Sequence, residues 1–259
     1  MNLLIFEEPD FIIENEIFVG AQQTKHLQAV LRANIGSTIK LGQLNGKIGV
    51  GEIKSFTNNG TIIEIKGIEI KGLAQESVQP EVDLILALPR PQMLKRILEN
   101  IPTFGVRNLY LINSKRVEKS FFSSPVLKSE NIKKHLIIGL EQASVTILPE
   151  VEIFDSFRNF ATCVLAREKH KWGPKVIAHT TQGGSLSTCM TQFTKLHGGS
   201  CCDNDTFPVV AIGPEGGWLD AEVEEFERFG FTRISLGKRI LRVETAVYAL
   251  LAQMQIFLK

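Results

Sequence analysis

Ile212-Gly213-Pro214-Glu215-Gly216-Gly217-Trp218 is the stretch on which the reading of this chain turns. The apolar run 209–212 before it has the length of a buried strand, and Asp220 after it can cap a helix over 221–229 that Gly230 stops. A strand that passes through three glycines into a helix can bring its backbone close to a ligand, because no Cβ stands in the way. At the carboxyl end of a sheet strand it also leaves N–H groups free for an anion or a base edge. The spacing is not the G-x-G-x-x-G of a dinucleotide site, and no Gly-Lys-Ser/Thr follows as in a P-loop. Taken alone, the segment reads first as a tight strand-to-helix turn with no ligand.

A second segment has the same character. In Leu236-Gly237-Lys238-Arg239-Ile240-Leu241-Arg242-Val243-Glu244-Thr245-Ala246 a strand ends at a glycine and the last helix begins, with Arg242, Glu244 and Thr245 at its entrance. Glu244 favours the helix dipole and Thr245 can satisfy an early N–H. An Arg in the first turn opposes the dipole, so Arg242 is expected to have a partner, either a carboxylate (Glu215 or Glu244) or a phosphate. Val243, Ala246, Val247, Leu250, Leu251 and Met254 then form one apolar stripe, which faces the core or a second copy of the chain.

Outward from these segments, strands are predicted at 82–88, 108–112, 175–179 and 232–236, with helices at 93–100 and 131–143. Such alternation predicts an α/β domain with a parallel sheet. Residues 181–206, rich in Gly, Ser and Thr, are expected to be a long, partly helical loop. Up to about Ile70 the pattern differs: strands at 38–41 and 61–66, hairpin turns at Asn45-Gly46 and Asn59-Gly60, and one helix at 24–32 predict a small β-barrel. Polar residues 71–80 read as a linker, so the domains are taken as 1–73 and 74–259.

With 44% hydrophobic and 22% charged residues the chain is an ordinary globular protein. No apolar run approaches a membrane span, and Glu7, Glu8 and Asp10 near the start are unlike a secretory signal. Cys163, Cys189, Cys201 and Cys202 include no C-x-x-C pair, so neither a metal site nor thiol redox chemistry is expected, and the protein is read as cytoplasmic. A formal net charge of +1 argues at first against nucleic acid. Divided, it reads otherwise: residues 90–134 carry 10 basic against 3 acidic side chains, whereas 203–227 carry 8 acidic and none basic. The neutral total conceals a tract of the kind a phosphate backbone needs.

Together, Ile-Gly-Pro-Glu-Gly-Gly and Leu-Gly-x-x-Ile-Leu-Arg-x-Glu-Thr-Ala resemble the signature of the RsmE family, 16S ribosomal RNA uridine-N3 methyltransferases of the SPOUT class. His26-Leu27-Gln28-Ala29-Val30-Leu31-Arg32, Leu86-Ala87-Leu88-Pro89, and Glu141-Gln142 with Pro149 resemble further family elements, so the likeness covers nearly the whole chain. It implies a PUA-like β-barrel followed by a trefoil-knotted α/β domain, a homodimer, S-adenosylmethionine as cofactor, and 16S rRNA or the small ribosomal subunit as partner.

By motif, Gly213, Glu215, Gly216 and Gly217, with Ile212 before them, would form one cofactor loop. Leu236, Gly237, Ile240 and Leu241 would form a second, Ala178 and His179 would lead into a third, and Thr245 would complete the set. The chemistry requires a nucleophile held in line with a sulfonium methyl and a uridine N3 relieved of its proton. Glu215 and Glu244 are both candidates for the base, and Arg242 for stabilising the uracil anion. His26, Arg32, Arg116 and Lys119 are candidates for RNA contact. The chain departs from the family pattern at Asn100, Thr103 and Val145, where basic or acidic residues are usual. Methylation of another RNA position, or RNA binding without turnover, are the competing readings.

Overall fold

A computed structural model describes residues 3–29, 31–66, 73–166, 172–180, 183–196 and 206–258. Cys201 and Cys202, and the parts of the expected loop at 181–182 and 197–205, lie outside these residues. In chain order the elements are β1 (Leu4–Phe6), β2 (Phe11–Ile13), β3 (Glu16–Gly20), α1 (Ala21–Ala29), β4 (Thr38–Gln43), β5 (Ile48–Phe56), β6 (Gly60–Lys66), β7 (Leu73–Gln75), β8 (Val82–Ala87), α2 (Pro91–Asn100), β9 (Val106–Ile112) and α3 (Ser129–Ala143). There follow β10 (Glu150–Phe154), α4 (Phe157–Phe160), β11 (Trp172–Ala178), α5 (Leu186–Leu196), β12 (Phe207–Ile212), α6 (Asp220–Arg228), β13 (Thr232–Ile234) and α7 (Val243–Met254). They divide into two compact units, Met1–Gln79 with Leu136–Leu148, and Pro80–His135 with Pro149–Lys259.

The first unit is a sheet in the order β1-β4-β5-β6-β3-β2, with β7 added to β5. All its pairings are antiparallel except β1 with β4. Alternate residues of β6 face inward, and Leu4, Phe6, Ile17, Val19, Leu27, Leu41, Ile53, Ile63 and Ile65 make the core. Both expected hairpins occur, β4–β5 around Asn45-Gly46 and β5–β6 around Asn59-Gly60. Their turns are not the primed type, since among these four residues only Asn45 has positive φ, at +56°. Thr57 closes the second turn through its N–H to Gly60 O (2.8 Å). The stretch read as a linker carries strand β7.

From Leu136 onward, α3 packs with the first unit: Leu140 joins Leu3, Ile5 and Ile48, and Ile137, Val145 and Leu148 lie against them. Glu141 accepts the Leu3 N–H on its main-chain oxygen (3.1 Å) and the Ile5 N–H on its carboxylate (3.3 Å). Burial pushes the Glu141 carboxyl up to about 7.

In the second unit six parallel strands run in the order β10-β9-β8-β12-β11-β13. Every residue of β8 is buried, as expected of a strand covered on both faces. One of them is Asp83, at 0% exposure. Its carboxylate accepts from Arg107 Nε (3.0 Å) and Nη2 (2.8 Å), from the Asn108 N–H and side-chain amide (3.2 and 2.9 Å), and from Trp172 Nε1 (2.7 Å). Arg107 also lies 3.7 Å over the Phe207 ring. The residues that meet at Asp83 therefore come from four adjacent strands.

One sequence expectation is corrected here. Asp220 is the first helical residue of α6 rather than its cap; Glu222 reaches back to accept the Leu219 N–H (2.9 Å). Of the two readings of the α7 stripe, the core is the one observed: Val247, Leu250, Leu251 and Met254 are fully buried in the protomer. The loop before α5 lies along β13, where Gly184 bridges Ile234. A Cβ at Gly183, φ +144°, would stand 2.7 Å from the Ile234 carbonyl carbon, which is why this crossing takes a glycine.

Asp83→Ala leaves Arg107 half-buried without its carboxylate and should cost about 3–5 kcal/mol in urea unfolding. A loss below about 1 kcal/mol would contradict this role. Glu141 has a folded pKa raised above its unfolded value, so its contribution to stability is present below the unfolded pKa and is lost as pH rises through about 7. Glu141→Gln keeps an oxygen for Ile5. It should raise Tm at pH 8 and leave it nearly unchanged at pH 5; equal shifts at both would exclude the assignment.

Candidate functional site

β12, β11 and β13 are neighbours, and their carboxyl ends open into one cavity of about 410 Å³. Ala178 and His179 reach it from β11; Ile212, Gly213, Glu215, Gly216 and Gly217 from β12; Leu236, Gly237, Ile240 and Leu241 from β13. Three segments far apart in sequence converge because the crossovers set these strands side by side. Thr245 is exposed in the first turn of α7 and does not line the cavity.

The glycines are needed for two reasons. Gly217 (φ +71°) and Gly237 (φ +121°) turn the chain through the left-handed region. At Gly213 and Gly216 it is proximity: a Cβ would lie 3.1 Å from the Trp218 indole and 3.3 Å from Arg116 Cδ, respectively.

The loop after β12 is held from several sides. Arg116 Nη1 donates to the Gly216 carbonyl (2.6 Å) and the Trp218 carbonyl (3.3 Å). Glu215 accepts the Arg90 N–H at 3.2 Å, with Arg90 Nε at 3.9 Å. Glu222, buried, accepts the Lys115 N–H at 2.9 Å. The Trp218 ring packs edge-on against Phe226 (5.2 Å) and Phe157 (6.4 Å). Trp218 lines the cavity, and its indole Nε1 is buried with no hydrogen-bond partner among the described residues.

Beside this cavity lies a groove lined by Arg90, Gln92, Met93, Phe121, Arg242 and Glu244, which shares Glu215, Leu241 and Val243 with it. The three expected catalytic residues, Glu215, Arg242 and Glu244, thus all face this groove. Arg242, the N-cap of α7, is exposed, and among the described residues it pairs with neither glutamate. Glu215 is engaged by Arg90, while Glu244 is half-buried with no ion pair among the described residues. Reading the sequence did not single out Arg90, Gln92, Met93 or Phe121. The only signal was the closeness of Arg90 to the Leu86–Pro89 element.

Of the residues considered for RNA contact, Arg116 is tied to the glycine loop. Lys119 is exposed at the start of a 3-10 turn, Lys119–Ser123. His26 is half-buried on α1, with Nε2 buried and without a partner among the described residues. Arg32 is exposed at φ +51° and borders a hollow of about 370 Å³ with Lys40 and Ser37. Within the basic tract Arg107 and Arg116 are engaged internally, whereas Lys95, Arg96, Lys119, Lys128 and Lys134 are exposed. The family departures have local roles: Asn100 donates to Arg96 O (2.7 Å), Thr103 to Asn100 O (2.6 Å), and Val145 packs in the apolar cluster around Leu140. Among the described residues no cluster of three metal-ligand side chains occurs, and no helix is long and apolar enough to cross a membrane.

Comparisons with known proteins identify the family and the fold. The family model for the RNA methyltransferase domain matches residues 75–255. The chain is 28% identical over 251 residues to the ribosomal RNA small subunit methyltransferase E of Treponema pallidum, covering 96% of this chain and 88% of that one. Against the protein of the same name from Synechocystis the identity is 26%, over 97% and 76%. A crystal structure of the Neisseria gonorrhoeae enzyme of that name, bound to S-adenosyl methionine, superposes with a TM-score of 0.72 at 22% identity, over 98% of this chain and 97% of that one. The expected fold class, a SPOUT-type α/β domain after a small PUA-like β-barrel, holds. With its cavity built by three strand ends and the family model spanning most of its length, the chain belongs to the RNA methyltransferase family, among relatives named ribosomal RNA small subunit methyltransferase E.

Proposed function

We propose that this protein methylates N3 of a uridine in 16S rRNA, with S-adenosylmethionine in the three-loop cavity and the acceptor base in the adjoining groove. The observation that carries this reading is the shared wall: Glu215, Leu241 and Val243 belong to both spaces, so a donor in one lies against an acceptor in the other. The residues present fit the cofactor. A Cβ at Gly213 or Gly216 would press on Trp218 or Arg116, which themselves line the cavity, Trp218 Nε1 is a buried donor with no partner among the described residues, and Ile212, Leu236 and Leu241 supply apolar surface for a base. S-adenosylmethionine held there would supply a sulfonium methyl group for transfer to N3, with the sulfur as leaving group.

The chain's own residues must then orient the uracil and take its proton. Glu244, facing the groove and free of any ion pair among the described residues, receives the N3 proton. Arg242 stabilises the charge that develops on the uracil ring. Glu215 acts as a positioning residue, fixing the start of α2 through the Arg90 N–H. A homodimer belongs to the same reading. Since α7 buries its stripe internally, its contact must use other surface, such as that around Ile256, 69% exposed.

Transfer of tritiated methyl from S-adenosylmethionine to small ribosomal subunits lacking the modification, followed by mapping, should label one uridine at N3. Label on another base, or cofactor binding without transfer, would overturn the reading. Arg242→Ala should lower kcat about 100-fold with cofactor affinity unchanged. Glu244→Gln should lower it by a similar factor or more, whereas Glu215→Gln, which keeps an acceptor for Arg90, should retain most of the rate. Arg116→Ala, which frees the Gly216 and Trp218 carbonyls, should weaken cofactor binding about tenfold in calorimetry.

A further inference from the structure

Phe121 lies outside the main aromatic cluster of the second unit. Tyr110, Phe154, Phe157, Phe160, Trp218 and Phe226 form a continuous set of tilted and T-shaped ring pairs. Phe121 makes no ring pair among the described residues; it sits half-buried in the turn Lys119–Ser123 and lines the groove. Across the same groove, Gln92 is the second residue of α2, exposed, with an amide that makes no hydrogen bond among the described residues. Its main-chain N–H lies in the first helical turn, where the helix offers no carbonyl partner. Among the described residues the groove thus presents one unstacked aromatic ring, one uncommitted amide and an Arg242 without an ion pair, directly beside the wall it shares with the cofactor cavity.

We propose that Phe121 is the stacking platform for the acceptor uracil and that Gln92 is the specificity-determining contact to one of its exocyclic oxygens. The proposal rests on the reading above, that the groove receives the acceptor base. A base that undergoes chemistry must leave its stack, and stacking on a protein ring compensates for the contacts it gives up. Any base can stack, so Phe121 would supply affinity and in-line orientation without identity. Identity must come from the edge. Uracil presents acceptors, O2 and O4, on both sides of N3–H, whereas cytosine replaces O4 by an amino donor and leaves N3 unprotonated. Gln92 as donor to one oxygen and Arg242 as donor to the other match uracil on both sides. Met93 adds apolar contact at the groove wall.

The test compares single-turnover kcat and KM on small subunits carrying the target uridine, with calorimetric S-adenosylmethionine binding on each variant. Phe121→Leu, which keeps volume and loses the aromatic face, should lower kcat/KM about tenfold or more, and Phe121→Tyr should restore it within about threefold. Gln92→Ala should lower kcat/KM for uridine and narrow the preference over a cytidine-substituted site. Cofactor affinity should stay within about twofold in all three, because none of these residues lines the cofactor cavity. If wild type labels a uridine at N3 while Phe121→Leu and Gln92→Ala keep near wild-type kcat/KM, the proposal fails and the functional reading stands. Loss of cofactor binding or of the folded state with Phe121→Leu that Phe121→Tyr does not repair likewise overturns it, by making the role structural. If wild type labels no uridine, the functional reading fails and takes this proposal with it.

Discussion

The second unit depends on a carboxylate placed where none should be cheap. Asp83 lies in the middle of a parallel sheet with no exposure, and an ion left there unpaired would cost far more than any single contact could return. Five hydrogen bonds resolve the problem, and each imposes a constraint. Arg107 and Asn108 fix β9 against β8, Trp172 fixes the first residue of β11, and the Arg107 guanidinium covers Phe207 at the first residue of β12. All these residues lie at or near the amino ends of their strands. Register and polar satisfaction are therefore settled at one end of the sheet, and the carboxyl ends are free to diverge into loops. The cavity opens there, away from the network that aligns the strands.

The loops then need their own restraint, because a glycine-rich turn has a large conformational freedom to lose. The chain restrains the loop after β12 through its backbone. Arg116 holds two carbonyls, and Glu222 and Glu215 bind the N–H groups of Lys115, Leu219 and Arg90 around it. Trp218 anchors the loop's far end among rings packed at 5.2 to 6.4 Å. The loop is thus fixed without side chains filling the space a ligand would take, which is the preorganisation that binding and in-line transfer both require.

How far the sequence revealed this varies with the range of the interaction. Periodicity found the α/β alternation, and the resemblance carried by the two glycine segments marked nine cavity-lining positions within them, since a motif is written in consecutive residues. The edge strand β10 was missed although Glu150 to Ile153 alternate, because it is only five residues long and sits at the sheet edge. β1 to β3 were missed because each is short and set among charged residues. Arg116 read as a cation for RNA, and nothing local could have paired it with carbonyls 100 and 102 residues away. The basic tract was real as composition but mixed in role, for Arg107 serves Asp83 and Arg116 serves the loop. Phe121 was invisible for the same reason: a half-buried ring in a polar stretch acquires meaning only from what lies opposite it.

Arg242 shows how stability and chemistry divide in this fold. As the N-cap of α7 it brings a positive charge to the positive end of a helix and offers no side-chain oxygen to the first-turn N–H groups. Glu244, two residues into the helix, offsets the dipole without closing a pair with it. A sequence selected for stability alone would put Ser or Asp at the cap and let the acid and the base neutralise each other. Keeping the two charges apart on one groove leaves each available to a group that arrives from outside. The buried stripe of Val247, Leu250, Leu251 and Met254 behind them supplies the stability that the entrance of the helix gives up.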